Sequence, residues 1–76
     1  MYRELETIVL RRPFPEHGLV AGDIGAIVHV HADGGAFEVE FVTAGGDTLA
    51  VLTLDPGDVR HSAGAEILHV RSLALA

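Results

Sequence analysis

The chain has 76 residues, eleven acidic residues against five arginines and no lysine, and a formal net charge of −6. That length holds one domain, residues 1–76, and the absence of cysteine excludes disulfides, thiolate zinc sites and iron–sulfur clusters. The arginines, Arg3, Arg11, Arg12, Arg60 and Arg71, are spread along the chain rather than clustered, so nucleic acid is not the expected partner.

Thr7-Ile8-Val9-Leu10-Arg11 is a short β-branched run and predicts the first strand. Pro13 and Pro15 then break regularity and bias Arg12 and Phe14 toward extended backbone, so Arg12–Gly18 is expected to be a long ordered loop. Gly22-Asp23 delivers the chain into a second strand from Ile24 to His31, alternating Ala26, Val28 and Val30 with Ile27, His29 and His31. Ala32-Asp33-Gly34-Gly35 is a hairpin signal. Strand three, Ala36–Val42, turns Phe37, Val39 and Phe41 inward and Glu38 and Glu40 toward water. After the turn Ala44–Asp47, strand four (Thr48–Leu54) is apolar on both faces and is expected to be covered on both. Asp55-Pro56-Gly57 predicts a turn or one short 3-10 turn. The last strand is expected within Ile67–Arg71, after an irregular linker over residues 60–64. No segment holds a 3.6-residue period over ten residues. The expectation is therefore all-β, a five-stranded SH3-like barrel whose last strand closes against the first.

Almost half the residues are hydrophobic and the mean hydropathy is +0.36. So small a barrel cannot enclose all of that, which points to a homodimer or a protein partner covering the surplus. The negative charge suits a partner with a basic face. The charged start, Met1-Tyr2-Arg3-Glu4-Leu5-Glu6, lacks the apolar core of a signal peptide, and no apolar run reaches membrane-spanning length. A cytoplasmic protein without membrane contact is expected.

Candidate chemistry is sparse. His29 and His31 form a His-x-His pair, and zinc would need further ligands from His61, His69, Glu38 or Glu40. Glu38 and Glu40 lie about 7 Å apart on one strand face, an arrangement better suited to charge complementarity than to acid–base work outside a cleft. His61 and Ser62 are sequence neighbours, and no nucleophile elbow exists. The lack of lysine removes Walker-type phosphate loops and Schiff-base chemistry. No catalytic residue, metal or cofactor is assigned. The residues expected to bind a partner are Phe14, Glu16 and His17 on the proline loop, with Glu38 and Glu40 on strand three. Phe14 either projects as an aromatic anchor or, the favoured reading, folds back over the open end of the barrel, and Tyr2, Leu73 and Leu75 raise the same question at the termini. Five histidines also allow the charge to change near pH 6.5.

Glu16-His17-Gly18-Leu19 and Ala21-Gly22-Asp23-Ile24-Gly25-Ala26-Ile27-Val28-His29-Val30 resemble a family of small bacterial proteins known as domain of unknown function 4926. Phe37-Glu38-Val39-Glu40-Phe41, Leu52-Thr53-Leu54 and Asp58-Val59-Arg60 resemble it too, so the likeness runs from about Tyr2 to Arg71. The resemblance implies an SH3-like barrel that accompanies another small protein encoded beside it, in an antitoxin-like pairing. It carries over no catalytic residue. Gly22-Asp23-Ile24-Gly25 is also similar to the turn of KOW-type barrels, the alternative being a nucleic-acid-binding module. Those barrels bring basic residues where this chain brings Asp23. A small accessory subunit of a larger enzyme is a further alternative.

Overall fold

The computed structural model describes residues 1–73. Five strands, β1 (Thr7–Leu10), β2 (Ile24–Val30), β3 (Phe37–Val42), β4 (Thr48–Leu54) and β5 (Val59–Arg60), form one antiparallel sheet in the order β4-β3-β2-β1-β5. Two 3-10 turns, Pro15–His17 and Pro56–Asp58, interrupt the loops. The fold is all-β, with five strands, as the strand patterns predict.

The inner face follows the period of two along β3. Phe37, Val39 and Phe41 are buried there and meet Leu54, Leu52 and Ala50 of β4 across the ladder. From β2 come Ile27, opposite Val39, and Val30, opposite Phe37. Ile8 and Leu10 of β1 and Val59 of β5 complete the core. One sheet encloses these side chains only by coiling tightly, and Gly25 is where the coil is tightest. A Cβ built on Gly25 would lie 2.6 Å from Val39 Cγ1 and 2.7 Å from Phe41 Cε2.

Two corrections concern strand phase. The register slips between Ile27 and His29, so Val28 is the extra residue of a β-bulge. Simple alternation would have set Ile27 on one face with His29. The bulge instead keeps Ile27 and Val30 inside while Val28 and His29 both face out. A second slip, between Phe41 and Val42, turns Leu49 toward the core. Strand β4 is not covered on both sides, because Val51 remains exposed on the outer face.

The last strand is Val59–Arg60, not Ile67–Arg71. Asp55 caps the 3-10 turn by accepting the Gly57 N–H, while the Asp58 carboxylate accepts the Asp55 N–H. That rigid corner sets Val59 beside Leu10, and the Arg11 N–H donates to the Asp58 carbonyl at 2.8 Å. The edge of β1 is therefore taken before the chain reaches Ile67.

The ends of the core are closed by loops. Phe14 and Leu19 pair across the 3-10 turn Pro15–His17, whose exit needs the left-handed backbone of Gly18 (φ 72°). At the other end the Tyr2 ring packs 5.2 Å from that of Phe37. Gly25→Ala is expected to destabilise the fold by about 1–3 kcal/mol, since its neighbours are fixed core side chains. Denaturant unfolding of that variant checks the close approach, and an unchanged midpoint would contradict it.

Candidate functional site

The outer face of β2–β4 gathers most of the polar residues singled out in the sequence. Glu38 stands between His29 of β2 and Thr53 of β4, and Glu40 stands between Ala26 and Val51. The Thr53 hydroxyl donates to Glu38 Oε1 at 2.8 Å, and His31 Nε2 lies 2.8 Å from Glu38 Oε2. The Thr48 hydroxyl donates to Glu40 Oε2 at 2.7 Å. Both carboxylates are half-buried and held in fixed directions. The hydrogen bond from His31, then that from Thr53, holds the Glu38 carboxyl below its ordinary range. His29 sits edge-on to His31, its ring centre 5.2 Å away, with Nδ1 3.8 Å from Glu4 Oε2. Ile24, Val28, Val42 and Val51 are exposed around this polar centre.

The proline loop takes the fold-back alternative for Phe14, which removes that residue from the expected partner surface. Phe14 does not project: it is 8% exposed, belongs to the core cluster, and carries the Arg12 guanidinium 4.0 Å above its ring. The physical reason is the pairing of Phe14 with Leu19, which folds the loop back over the open end of the core. Arg12 is in turn held by Asp58 at 2.8 Å. Glu16 and His17 are exposed on the 3-10 turn. The loop leaves β1 beside Ile24, two residues along β2 from Ala26, the partner of Glu40.

Asp23 is a junction that spacing in the sequence does not reveal. Its carboxylate accepts the Val20 N–H at 2.8 Å and two bonds from Arg71, at 2.8 and 2.6 Å. Arg71 also donates to the Gly18 carbonyl at 2.9 Å. The Arg71 bonds, with the Val20 N–H behind them, hold the Asp23 carboxyl below its usual range. These partners are 48 residues apart, and the lone arginine in an apolar tail was the one available hint. Arg60 makes a second fork with Glu66, at 2.9 and 2.6 Å, and pushes that carboxyl down to about 2. His61 stacks on Tyr2 at 4.3 Å and lies 3.4 Å from Glu6, whose carboxyl is lowered mainly by the Arg3 N–H. Tyr2 is thus engaged in packing. Leu73 is half-buried, and Leu75 lies outside the described residues.

A shallow groove of about 630 Å³ runs between the start of β2, the β3–β4 turn and residues 69–73. Its walls include Leu19, Ile24 and Leu49, with Asp23 already committed to Arg71. Among the described residues no three histidines or carboxylates are placed to hold a metal ion, and no helix is long and apolar enough to cross a membrane.

Fold and surface together define a small all-β domain whose polar side chains are organised into hydrogen-bonded and ionic pairs. The chain belongs to the family described as a domain of unknown function (DUF4926), which matches residues 4–61. No curated protein and no solved structure matches the chain.

Phe14→Ala is expected to cost about 3–5 kcal/mol of stability, the loss typical of a buried phenylalanine. Thermal unfolding measures it, and an unaffected Tm would restore Phe14 to the surface. A second outcome concerns acid. The Glu66 carboxyl titrates lower in the folded chain than in the unfolded one, so its contribution is complete above pH 4.5 and is lost as pH falls toward about 2. Glu66→Gln should therefore flatten the loss of stability over that interval, as followed by urea unfolding at stepped pH.

Proposed function

We propose that this chain is a non-enzymatic protein-interaction module, a cytoplasmic SH3-like barrel that binds a partner protein bearing a basic face. The strand order β4-β3-β2-β1-β5 and the 3-10 turn before the last strand support the barrel assignment. The observation that carries the interaction reading is the outer face of β2–β4. Two carboxylates, Glu38 and Glu40, are fixed there by threonine hydroxyls within an exposed apolar ring of Ile24, Val28, Val42 and Val51. Carboxylates already oriented lose little freedom when an arginine or lysine docks, and the surrounding valines supply area for burial. An antitoxin-like role beside a small basic protein fits that chemistry.

The arginines favour this reading over the nucleic-acid alternative. Arg12, Arg60 and Arg71 are each engaged by a carboxylate, of Asp58, Glu66 and Asp23 respectively. Cations neutralised in place release few phosphate counterions.

Native co-purification of the tagged protein with nuclease digestion tests the proposal. The expected result is one stoichiometric protein companion that survives the nuclease, and a large catalytic chain in that role would make this domain an accessory subunit. Recovery of the protein alone, or a companion lost on nuclease treatment, would overturn it. Glu38→Lys/Glu40→Lys is expected to weaken the complex by about tenfold or more at low salt, with a smaller effect at high salt. Equal affinity at low salt would place the contact elsewhere.

A further inference from the structure

Residues 66–73 run without turn or bend and belong to no strand. Among the described residues, no backbone group of Ile67, Leu68, His69 or Val70 takes part in a hydrogen bond. Their side chains are equally without cover: Ile67 is 92% exposed, Leu68 77% and Val70 82%. The segment is thus largely uncovered, although residues 69–73 form one wall of the groove beside the start of β2. Yet it is not loose at its ends. Glu66 is forked by Arg60, and Arg71 is forked to Asp23 and bonded to the Gly18 carbonyl. The protein thus holds out a short apolar segment between two clamps. Exposed strand edges are normally blunted by a lysine, a proline or an inward charge; Ile67–Val70 has none of these. The segment also lies beyond the residues that match the family model, 4–61.

We infer that Ile67–Val70 pairs antiparallel with the same segment of a second copy, making a two-fold dimer through a continuous two-stranded ribbon. Three features of the segment select a second copy. It carries no charge over Ile67–Val70 in a chain of net charge −6, so two copies meet here without bringing carboxylates together. It offers unpaired backbone donors and acceptors, which another unpaired strand satisfies and a smooth apolar groove does not. It is also self-complementary in one register. A two-fold axis between antiparallel strands sets one residue opposite its own copy. Centred on His69, the pairing sets Leu68 against Val70 of the second copy twice over, on one face, and Ile67 against the stem of Arg71 on the other. Centred on Leu68, it would set Val70 against Glu66. The apolar match selects His69 as the centre. The contact is short, so the dimer belongs to the weak, concentration-dependent class.

The pairing is independent of the basic-partner reading, because it uses neither Glu38 nor Glu40. Sedimentation velocity of the full chain over a concentration series is expected to show a monomer–dimer equilibrium. Ile67→Asp/Val70→Asp should abolish the dimer while leaving thermal unfolding unchanged, since both side chains are on the surface. Glu38→Lys/Glu40→Lys should leave the dimer intact. The chain has no cysteine of its own, which permits a test of register. His69→Cys is expected to form a disulfide dimer on mild oxidation, because the two residues face each other. Ile67→Cys should not, its copies lying about 13 Å apart along the ribbon, beyond the roughly 7 Å reach of a disulfide. A chain that stays monomeric at its highest soluble concentration, a dimer untouched by the aspartate pair, or equal cross-linking at 67 and 69 would overturn the inference.

Discussion

The close approach at Gly25 governs the architecture. Val39 and Phe41 press against the backbone of β2 at a distance that excludes any side chain. On the β1 side, Gly25 is opposite Ile8, which is completely buried. Three strands are thereby drawn round a common centre by a residue that contributes no volume of its own. A flat sheet of these five short strands would leave one face open to water and its core half built. Coiled at Gly25, the same sheet covers its own interior, and only its two ends need closing. Phe14 and Leu19 close one end, and Tyr2 closes the other.

An interior made in this way fills quickly, and the rest of the apolar residues must stay outside. Ile24, Val28, Val42 and Val51 lie on the outer face, and Ile67, Leu68 and Val70 lie on the C-terminal segment. The positive mean hydropathy of the chain has a structural origin in these residues, not in an enlarged core. Their settings differ. On the outer face the valines lie beside oriented carboxylates, whereas Ile67–Val70 is uncharged and, among the described residues, has no backbone partner.

What the sequence made legible was local. The alternation Phe37, Val39, Phe41 is unambiguous because acidic residues separate the aromatics and the valine, and the strand forms where it predicts. Along Ile24–His31 both faces carry apolar residues, so nothing in the pattern betrays the extra residue at Val28; the bulge is imposed by pairing with β3. Ile67–Arg71 has a stronger strand composition than Val59–Arg60, yet the shorter pair forms β5. Position decides that outcome: the capped corner at Asp55–Asp58 brings Val59 to β1 first. Phe14 left two readings open for a similar reason. Its flanking prolines announce a loop, but whether the ring turns out or back depends on Leu19 pairing with it. The carboxylates Glu38 and Glu40 fall on the outer face as expected, while their threonine partners come from β4, eight and fifteen residues away.

The ion pairs explain how so acidic a chain keeps two such different surfaces apart. Asp58, Glu66 and Asp23 each take up one arginine, and each pair fastens an irregular segment: the proline loop, the linker after β5 and the C-terminal segment. Three of the five arginines tether segments, which leaves the outer face of β2–β4 with an excess of negative charge and the Ile67–Val70 segment with none. Salt acts unequally on two such surfaces. Screening weakens attraction between the outer carboxylates and a basic protein, whereas backbone pairing and apolar contact at Ile67–Val70 lose nothing to it. Ionic strength therefore distinguishes the two proposed contacts: salt acts directly on the first, and on the second only through the Arg71–Asp23 pair that anchors the segment, which is partly shielded.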